Sequence, residues 1–257
     1  MALNSVSNKA KIGTNVTIGD FTVIKDDVVI GNNVKIGSNV LIDDGARISD
    51  NVTLHHGAVV SSIPQDLKFK GEITTLEIGE STVVREYATL NRGTEANGKT
   101  VVGKNCLLMA YSHVAHDCTV GDNVIIANCG TLGGHVEIDD WAIVGGLVAV
   151  HQFVKIGAHT LLAGFTKAVK DIPPYIIAGS NPMKFEGVNI IGLKRRGFTQ
   201  EQIDSIKEFY KLLYKSGLNI SDAVKQITAS IAGTEETDVI LDFISRSTRG
   251  ILTDKEK

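Results

Sequence analysis

An aliphatic residue recurs at every sixth position through about two thirds of this sequence, and this repeat constrains the fold more than any other feature. A helix repeats every 3.6 residues and a plain strand every two, whereas six residues suit a short strand followed by a turn. Three such units close one triangular coil, with the aliphatic side chains pointing inward. The repeat therefore predicts a parallel β-helix whose stacked coils share one aliphatic core. The repeat positions are Ile12, Ile18, Ile24, Ile30, Ile36, Ile42, Ile48, Leu54, Val60, Ile78, Val84, Leu90, Val102, Leu108, Val114, Val120, Ile126, Leu132, Ile138, Val144, Val150, Ile156 and Leu162.

The amino-acid composition fits such a narrow core. Hydrophobic residues make up 43% of the 257 residues, yet aromatic residues make up only 5%. A triangular prism has room for layers of Ile, Val and Leu but little room for rings. The chain is long enough, and apolar enough, to bury a sizeable core.

The six-residue pattern lapses twice, at 61–76 and at 91–100. In the first lapse, for example, Asp66 occupies an expected aliphatic position. We expect both segments to be loops that leave the prism. Loops on a rigid scaffold often carry binding residues, and the first contains Gln65, Asp66 and Lys68. A solvated loop without such a role is the alternative.

A second kind of structure follows the repeat. The motif DIPPY breaks the pattern, and from Thr199 onward apolar residues recur at helical spacing. Thr199 and Gln202 have the spacing of a helix-capping box. We therefore predict a mainly β domain at 1–190 and a small α-helical C-terminal domain at 191–257.

Charge and cysteine content argue against several classes of function. The formal net charge is −3 and the pI is about 6.2, so no basic field attracts nucleic acid or an anionic membrane. Cys106, Cys118 and Cys129 form no CxxC pair, and an odd number fits poorly with a secreted disulfide framework. The N-terminal residues lack the apolar segment of a signal peptide, and no apolar run is long enough to span a membrane. We expect a cytoplasmic protein without a nucleic-acid partner.

Histidines concentrate in the second half of the repeat. Five of the seven lie between positions 113 and 159, namely His113, His116, His135, His151 and His159. Zinc-dependent carbonic anhydrases of the β-helical class also need histidines that converge from adjacent faces. Histidines at the turns of a β-helix can equally be solvated. Spacing alone leaves catalysis, zinc binding and solvation open.

A coil of three repeats brings His116, Gly134 and Gln152 into one column, because coils stack about 4.8 Å apart. His116 is a candidate general base, since an imidazole near neutrality can take a proton from a hydroxyl. The backbone N–H of Gly134 is a candidate donor to the oxyanion of a tetrahedral intermediate, since no side chain blocks its approach. Asp117 can orient His116 only if the chain turns there, because adjacent residues of a strand point to opposite faces.

Several longer motifs follow one another along the chain. They are QDLKFKGE, NRGT, LLMAYSHVAHDCTVG, GHVEIDDWAIVGG, VHQFVKIGAH, DIPPY and GLKRRGF, in this order. The series resembles the UDP-N-acetylglucosamine acyltransferases of lipid A synthesis, from the first repeats to the C-terminal SRSTRGIL. HVAHDC and GLKRRGF are much more specific than the hexapeptide repeat alone.

The resemblance implies a left-handed β-helix and a homotrimer with clefts between its subunits. It also implies the reaction, the first step of lipid A biosynthesis. An (R)-3-hydroxyacyl group would pass from the phosphopantetheine thioester of acyl carrier protein to the 3-hydroxyl of UDP-N-acetylglucosamine. No metal and no bound cofactor would take part.

The roles implied by this resemblance fall on residues that match the family's motifs. His116 would be the base, Asp117 its partner and Gly134 the backbone donor. Gly164 would form the floor of the acyl groove, where the missing side chain leaves room for a long acyl chain. The other expected contacts with substrate are Gln65, Asp66, Lys68, His113, His135, His151, Gln152, Asn189, Arg195 and Arg196.

Three positions depart from the family pattern, namely Asn91, Pro182 and Ile191. Asn91 stands where some members have histidine, and Ile191 replaces an acidic residue. All three are on the acceptor side, so the 3-amino analogue of the sugar nucleotide is an alternative acceptor. An acetyl-CoA-dependent acetyltransferase on the same prism is a further alternative, although such enzymes lack this QDLK loop and this tail.

Overall fold

A computed structural model describes residues 3–231 and 233–254. Within these residues the strands form three sheets, one on each face of a triangular prism. Each repeat strand pairs in parallel with the strand three places further along the chain, so that in the regular coils His113, for example, pairs with Thr131. The predicted fold class, a left-handed parallel β-helix with a C-terminal helical part, is confirmed.

Most of the strands are only two residues long. The first face contains Ser5–Val6, Val23–Ile24, Leu41–Ile42, Val59–Ser62, Thr89–Asn91, His113–Val114, Thr131–Leu132, Ala149–Val150 and Lys167–Ala168. The second face contains Lys11–Ile12, Val29–Ile30, Ala46–Ile48, Thr75–Ile78, Lys99–Val102, Thr119–Val120, Glu137–Ile138 and Lys155–Ile156. The third face contains Thr17–Ile18, Lys35–Ile36, Thr53–Leu54, Val83–Val84, Leu107–Leu108, Ile125–Ile126, Ile143–Val144, Leu161–Leu162, Ile176–Gly179 and the antiparallel Lys184–Val188.

The aliphatic repeat residues fill the inside of the prism. Val114 and Leu132, on successive coils of the first face, are both fully buried. Burying a side chain of this size contributes about 1.5–3 kcal/mol relative to leaving it in water. Between faces the chain turns through residues with positive φ, often asparagine, as at Asn33 and Asn123. Asparagine visits this conformation more readily than most residues, which is why it suits these corners.

Two segments leave the prism at the same corner, between the first and second faces. The chain departs after Ser62 and returns at Thr75, and it departs again after Asn91 and returns at Lys99. Both segments fall inside the ranges that lack the repeat. The second lengthens its coil by one repeat, since Thr89 pairs with His113 and not with the position one repeat earlier.

Four helices follow the prism in the part of the chain that the structure describes. They are α1 at Ile190–Arg195, α2 at Gln200–Lys215, α3 at Ile220–Ser230 and α4 at Glu235–Arg246. The predicted capping box at the start of α2 is confirmed, since Thr199 and Gln202 each accept a hydrogen bond from the other's backbone N–H. None of the helices within the described residues is long and apolar enough to cross a membrane.

The helical segment packs against the last coils. Tyr210 of α2 is buried, and its hydroxyl donates to the carbonyl of Pro174 at 2.6 Å. The buried carboxylate of Asp171 accepts hydrogen bonds from the Ser247 hydroxyl and the N–H of Arg249, which hold the C-terminal tail on the prism. The division into two domains at residue 190 stays a prediction.

Candidate active site

His116 and Asp117 form a hydrogen-bonded pair in the turn between strands His113–Val114 and Thr119–Val120. Asp117 has a φ of 61°, in the left-handed region that few residues other than glycine adopt. This turn brings the two neighbouring side chains together, with Nδ1 of His116 2.7 Å from Oδ2 of Asp117. The turn that the sequence required for this contact is therefore present.

The carboxylate of Asp117 is buried, and both of its oxygens accept hydrogen bonds. The N–H of Thr94 donates to Oδ1 at 2.8 Å, and the hydroxyl of Thr94 donates to Oδ2 at 2.6 Å. Burial raises the pKa of Asp117, but the hydrogen bonds from Thr94 and His116 outweigh it and hold the pKa below its ordinary value. An ionised carboxylate only accepts, so Nδ1 of His116 carries a proton and Nε2 of its neutral form presents a lone pair.

Gly134 lies one coil beyond His116, and its main chain faces the imidazole. A Cβ atom on Gly134 would lie 2.6 Å from Cε1 of His116, so any side chain at this position would displace the ring. The next residue fixes the spacing of the coils, because the N–H of His135 donates to the carbonyl of His116 at 3.1 Å. Gly134 is buried, and none of the hydrogen bonds among the described residues is donated by its N–H. This N–H is therefore free to donate beside Nε2 of His116.

His135 extends the cluster along the same corner. Its Nε2 lies 3.7 Å from Oδ2 of Asp117, and its ring stacks on Phe153 with the centroids 4.5 Å apart. Burial lowers the pKa of His135, partly opposed by the charge of Asp117 and assisted by that of His116. The neutral form of His135, which burial favours, offers one donor and one acceptor.

The remaining predicted histidines differ in their surroundings. Nδ1 of His113 lies 2.8 Å from the hydroxyl of Thr89, and burial, together with the nearby His116, lowers the pKa of His113. His151 and Gln152 are exposed, and Nδ1 of His151 lies 3.0 Å from the carbonyl of Gln152. His113 thus belongs to the partly buried cluster, whereas the other two face solvent in the single chain.

A cavity of about 400 Å³ opens beside this cluster. The two segments that leave the prism contribute most of its lining, and His135 contributes from the prism itself. Asp66 and Lys68 line it as well, whereas Gln65 is exposed on the same loop. The QDLK loop is therefore brought next to the histidine cluster. The lining residues are Asp66, Lys68, Phe69, Glu72, Thr94, Glu95, Ala96 and His135.

His116, Asp117 and His135 also have the chemistry of metal ligands. Their ligand atoms all lie within 4.8 Å of one another, which makes them a candidate cation site among the described residues. His113, His151 and His159, the other histidines for which the sequence left zinc binding open, are not part of this group. Nδ1 of His116 already bonds to Asp117, whose oxygens also accept two hydrogen bonds from Thr94. A metal ion bound at Nδ1 of His116 would have to replace the His116–Asp117 hydrogen bond.

The residues expected to meet the nucleotide lie around α1. The side chain of Asn189 caps this helix, accepting from Gly192 N–H, and donates to the carbonyl of His159. Arg196 lies over the ring of Trp141, 5.3 Å from its centroid, with Nη1 3.2 Å from Nδ1 of His159. Both side chains therefore have partners within the chain, and their contact with a nucleotide stays a prediction. Arg195 is exposed on the same helix.

Gly164 lies at the surface near the end of the prism. A Cβ atom there would be 3.0 Å from the carbonyl oxygen of Gly146, a tight contact, although Gly164 itself is exposed. The side chain of the neighbouring Phe165 is 80% exposed. The position is therefore accessible to an apolar chain lying along this edge.

The sequence did not single out several residues that the fold brings to this site. Thr94, Asn97 and Thr100 all hydrogen-bond to Asp117, and Phe153 supports the ring of His135. The available signal was the polar NRGT segment inside a lapse of the repeat. This segment predicted a loop, but it did not predict that the loop would contact Asp117.

The amino-acid sequence matches two families of known proteins. Residues 9–44 and 99–134 match "Bacterial transferase hexapeptide (six repeats)". Residues 171–252 match "Udp N-acetylglucosamine O-acyltransferase; Domain 2". Both the prism and the C-terminal helices thus have counterparts in described families.

Similar proteins match over almost the full length. The acyl-[acyl-carrier-protein]–UDP-N-acetylglucosamine O-acyltransferase of Trichlorobacter lovleyi is 51% identical over 96% of this chain and 96% of its own. The solved UDP-N-acetylglucosamine acyltransferase of Francisella novicida has a TM-score of 0.97 at 38% identity, covering 100% of this chain and 94% of its own. That of Bacteroides fragilis has a TM-score of 0.94 at 46% identity, covering 98% and 99%. The chain therefore belongs to the UDP-N-acetylglucosamine O-acyltransferase family.

Proposed function

We propose that this protein transfers an (R)-3-hydroxyacyl group from the phosphopantetheine thioester of acyl carrier protein to the 3-hydroxyl of UDP-N-acetylglucosamine. The position of His116 between Asp117 and the N–H of Gly134 carries the proposal. Acyl transfer to a hydroxyl needs a base with a defined lone pair and a donor for the oxyanion. The name of the Trichlorobacter lovleyi relative, at 51% identity, supports the same reaction.

In the proposed mechanism His116 acts first as a base and then as an acid. Its Nε2 takes the proton of the sugar 3-hydroxyl while that oxygen attacks the thioester carbonyl. The tetrahedral intermediate places its negative oxygen at the N–H of Gly134, and the ionised Asp117 stabilises the imidazolium. The C–S bond then breaks, and the proton passes from His116 to the departing sulfur. The products are the 3-O-acylated sugar nucleotide and the free carrier thiol.

The polar groups around the cavity would hold the substrates. Lys68 offers a cation and Asp66 a carboxylate beside His135, which suits a ligand with hydroxyl, amide and phosphate groups. His113 is partly buried near His116 and, being neutral, can donate to the acyl or sugar oxygens. The other proposed substrate contacts are Gln65, His151, Gln152, Asn189, Arg195 and Arg196.

We infer that the working enzyme is a homotrimer in which a second copy covers part of the site. One corner of the prism carries exposed apolar residues on several coils, namely Tyr87, Tyr111, Leu147 and Phe165. Leu67 of the QDLK loop is fully exposed as well. Contiguous apolar surface of this kind marks a protein interface, and three copies of a triangular prism fit a cyclic assembly. Gly164, beside Phe165, would then form the floor of an acyl groove between two copies and admit a long chain.

We also propose that the enzyme needs no cofactor, is cytoplasmic and has two domains. The proposed reaction needs no metal and no bound cofactor, because the acyl donor arrives on acyl carrier protein. The three cysteines are unpaired, which supports a cytoplasmic location. Residues 1–190 would supply the site, and 191–257 would form a separate helical domain beside the nucleotide.

The direct test is incubation of the purified protein with (R)-3-hydroxyacyl carrier proteins of several chain lengths and UDP-N-acetylglucosamine, with products identified by mass spectrometry. A 3-O-acylated sugar nucleotide is the expected product. Acylation of the 3-amino analogue alone would show that the acceptor is the amine, and His116 would remain the proposed base. Transfer from acetyl-CoA in place of the carrier protein would exclude the proposed donor.

The position of Asn91 bears on the choice of acceptor. Its amide nitrogen donates to the Ser62 hydroxyl and to the carbonyl of Ile63, so Asn91 ties together the bases of the two loops. Its Oδ1 is buried without a partner among the described residues. Because the side chain holds the scaffold of the loops, this departure from the family pattern is compatible with the hydroxyl acceptor.

A further inference from the structure

The second loop encloses the residue that orients the catalytic base. At most corners of the prism, the backbone N–H of the left-handed residue donates to a carbonyl one coil earlier, as Asn123 does to Lys104. Asp117 has no such carbonyl partner, because the segment 92–98 lengthens the preceding coil. Its N–H donates instead to the hydroxyl of Thr100 at 2.8 Å.

The same segment engages every other polar atom of Asp117. Thr94 binds both carboxylate oxygens, at 2.8 Å through its N–H and at 2.6 Å through its hydroxyl. The side-chain amide of Asn97 donates to the carbonyl oxygen of Asp117 at 3.2 Å. Residues 94–100 therefore fix both the left-handed backbone of Asp117 and the orientation of its carboxylate.

The direction of the Thr94 hydroxyl is also defined. Its oxygen lies 3.3 Å from the N–H of Ala96, which donates to it. The hydroxyl proton therefore donates to Oδ2 of Asp117, the oxygen that also accepts from His116. Thr94 is buried, so water does not compete readily for this proton. The hydrogen bond is therefore directional and protected.

The loop itself is anchored to the prism. The hydroxyl of Thr74 donates to the carbonyl of Gly93 at 2.6 Å, and the N–H of Gly93 donates to the carbonyl of Thr75. Arg92 donates through Nη1 to the carbonyl of Asp44 at 2.9 Å. A Cβ on Gly93 would collide with the backbone of Lys99, so only glycine allows the chain to return this closely. These contacts hold the loop that binds Asp117 against the prism.

From these contacts we propose that Thr94 is a positioning residue for the acyl transfer, acting through Asp117 to keep His116 in the tautomer whose Nε2 takes the substrate proton. The inference rests on the proposed function of His116. Without the Thr94 hydroxyl, the Asp117 carboxylate loses one of its hydrogen-bond donors. It can then rotate away from Nδ1 of His116. The neutral imidazole of His116 then exists as two tautomers. Nε2 is unprotonated in only a fraction of the enzyme molecules.

Thr94→Val, Thr94→Ser and a matched control test this role in the full-length protein. Thr94→Val keeps the size and branching of the side chain but removes the donor, and we expect kcat to fall roughly 10- to 100-fold with little change in KM. Thr94→Ser keeps the hydroxyl and should retain most of kcat. Thr82→Val is the control, since the buried Thr82 also donates to a carbonyl and accepts from an N–H, in contact with Gly103 and Cys106 rather than the site. Thr82→Val should lower the unfolding midpoint and leave kcat unchanged.

A second measurement reads the tautomer directly. Nitrogen-15 spectra of histidine-labelled protein distinguish Nδ1–H from Nε2–H, and His116→Ala identifies the resonance. We expect a single Nδ1–H tautomer in the wild type and a mixture in Thr94→Val. Wild-type kcat in Thr94→Val, or an equal loss in Thr94→Ser, would overturn the positioning role. If the wild type acylates no sugar nucleotide, the proposed function fails, and the tautomer measurement still decides whether Thr94 clamps Asp117.

Discussion

A Cβ atom added to Gly134 would lie 2.7 Å from Nε2 of His116, the nitrogen that takes the substrate proton in the proposed mechanism. Gly134 has no positive φ, so alanine fits its backbone and only the contact with the ring changes. We predict that Gly134→Ala lowers kcat by roughly 10²-fold or more, because the imidazole must leave its place beside the oxyanion donor. Steady-state kinetics measure the fall. An unchanged unfolding midpoint would show that the fold is intact, and wild-type kcat would contradict the assigned geometry.

His116→Ala tests the base itself. Because the ring of His116 lies between Asp117 and Gly134, we expect turnover to fall by roughly 10² or more while the assembly stays intact. Size-exclusion chromatography checks the assembly. His55→Ala is a suitable control, since His55 is half-buried beside Glu86 in an early coil and should leave turnover unchanged. Wild-type-like turnover in His116→Ala would exclude the general-base role.

Asp117→Asn separates orientation from folding. Asparagine adopts the left-handed conformation at other corners, for example at Asn105 and Asn123, so the turn should persist. The amide has only one acceptor oxygen for the donors of Thr94 and His116, and it carries no charge to stabilise the imidazolium. We expect kcat to fall roughly 10- to 100-fold, less than in His116→Ala, with a normal circular dichroism spectrum. A larger loss than in His116→Ala would mean that Asp117 acts other than through the base.

Gly164→Met tests the floor of the acyl groove. The new side chain would extend over the exposed surface at Gly164 and exclude about two to three methylene groups of a long chain. At about 0.8 kcal/mol for each methylene, the loss is roughly 2 kcal/mol, or about 30-fold in kcat/KM for the long donor. Competition between carrier proteins with long and short acyl groups measures the ratio. The same preference in variant and wild type would place the end of the groove elsewhere.

Stability should depend on pH through His159. Burial, assisted by the charge of Arg196, lowers the pKa of His159 to about 4, whereas the ordinary value of 6.5 applies after unfolding. Between these values the unfolded chain binds a proton that the folded protein does not, so stability falls as the pH drops from about 6.5 towards 4. His159→Phe should weaken this dependence, because phenylalanine binds no proton. The corner should tolerate phenylalanine, since this residue already occupies corner positions at Phe153 and Phe165.

Denaturant unfolding at neutral pH and near pH 5 measures this effect. The decrease in unfolding free energy between the two conditions should be smaller in His159→Phe than in the wild type. It should not vanish, because burial also lowers the pKa of His113 and His135. An equal decrease in both proteins would assign the pH dependence to other groups.

The fold was predictable because one short pattern repeats many times. Most aliphatic repeat positions, such as Val114 and Leu132, are buried as the period of six requires, and the exceptions Ile12 and Ile18 lie in the first coil. The column of His116 and Gly134 followed from the same period, since equivalent positions on successive coils are three repeats apart. A regular repeat converts distance along the chain into distance in space.

The contacts outside the repeat were not predictable in this way. Thr94 reaches Asp117 across an irregular loop, so no fixed spacing connects the two positions. Arg196 was expected to face a nucleotide, yet its guanidinium lies over Trp141, a contact that depends on where α1 docks on the prism. Asn189 likewise caps a helix whose first residue a single sequence locates only approximately.

The uniform coil length has a consequence for how such an enzyme can change over time. Gly134 lies over His116 because three repeats separate them, and that spacing is set by the whole prism. Removing one residue between them would bring His135 over the imidazole and would turn inward-facing aliphatic residues of that coil towards water. Substitutions can therefore accumulate along the faces, whereas insertions and deletions are confined to the corner where the chain already leaves the prism, which is also the corner that carries the chemistry.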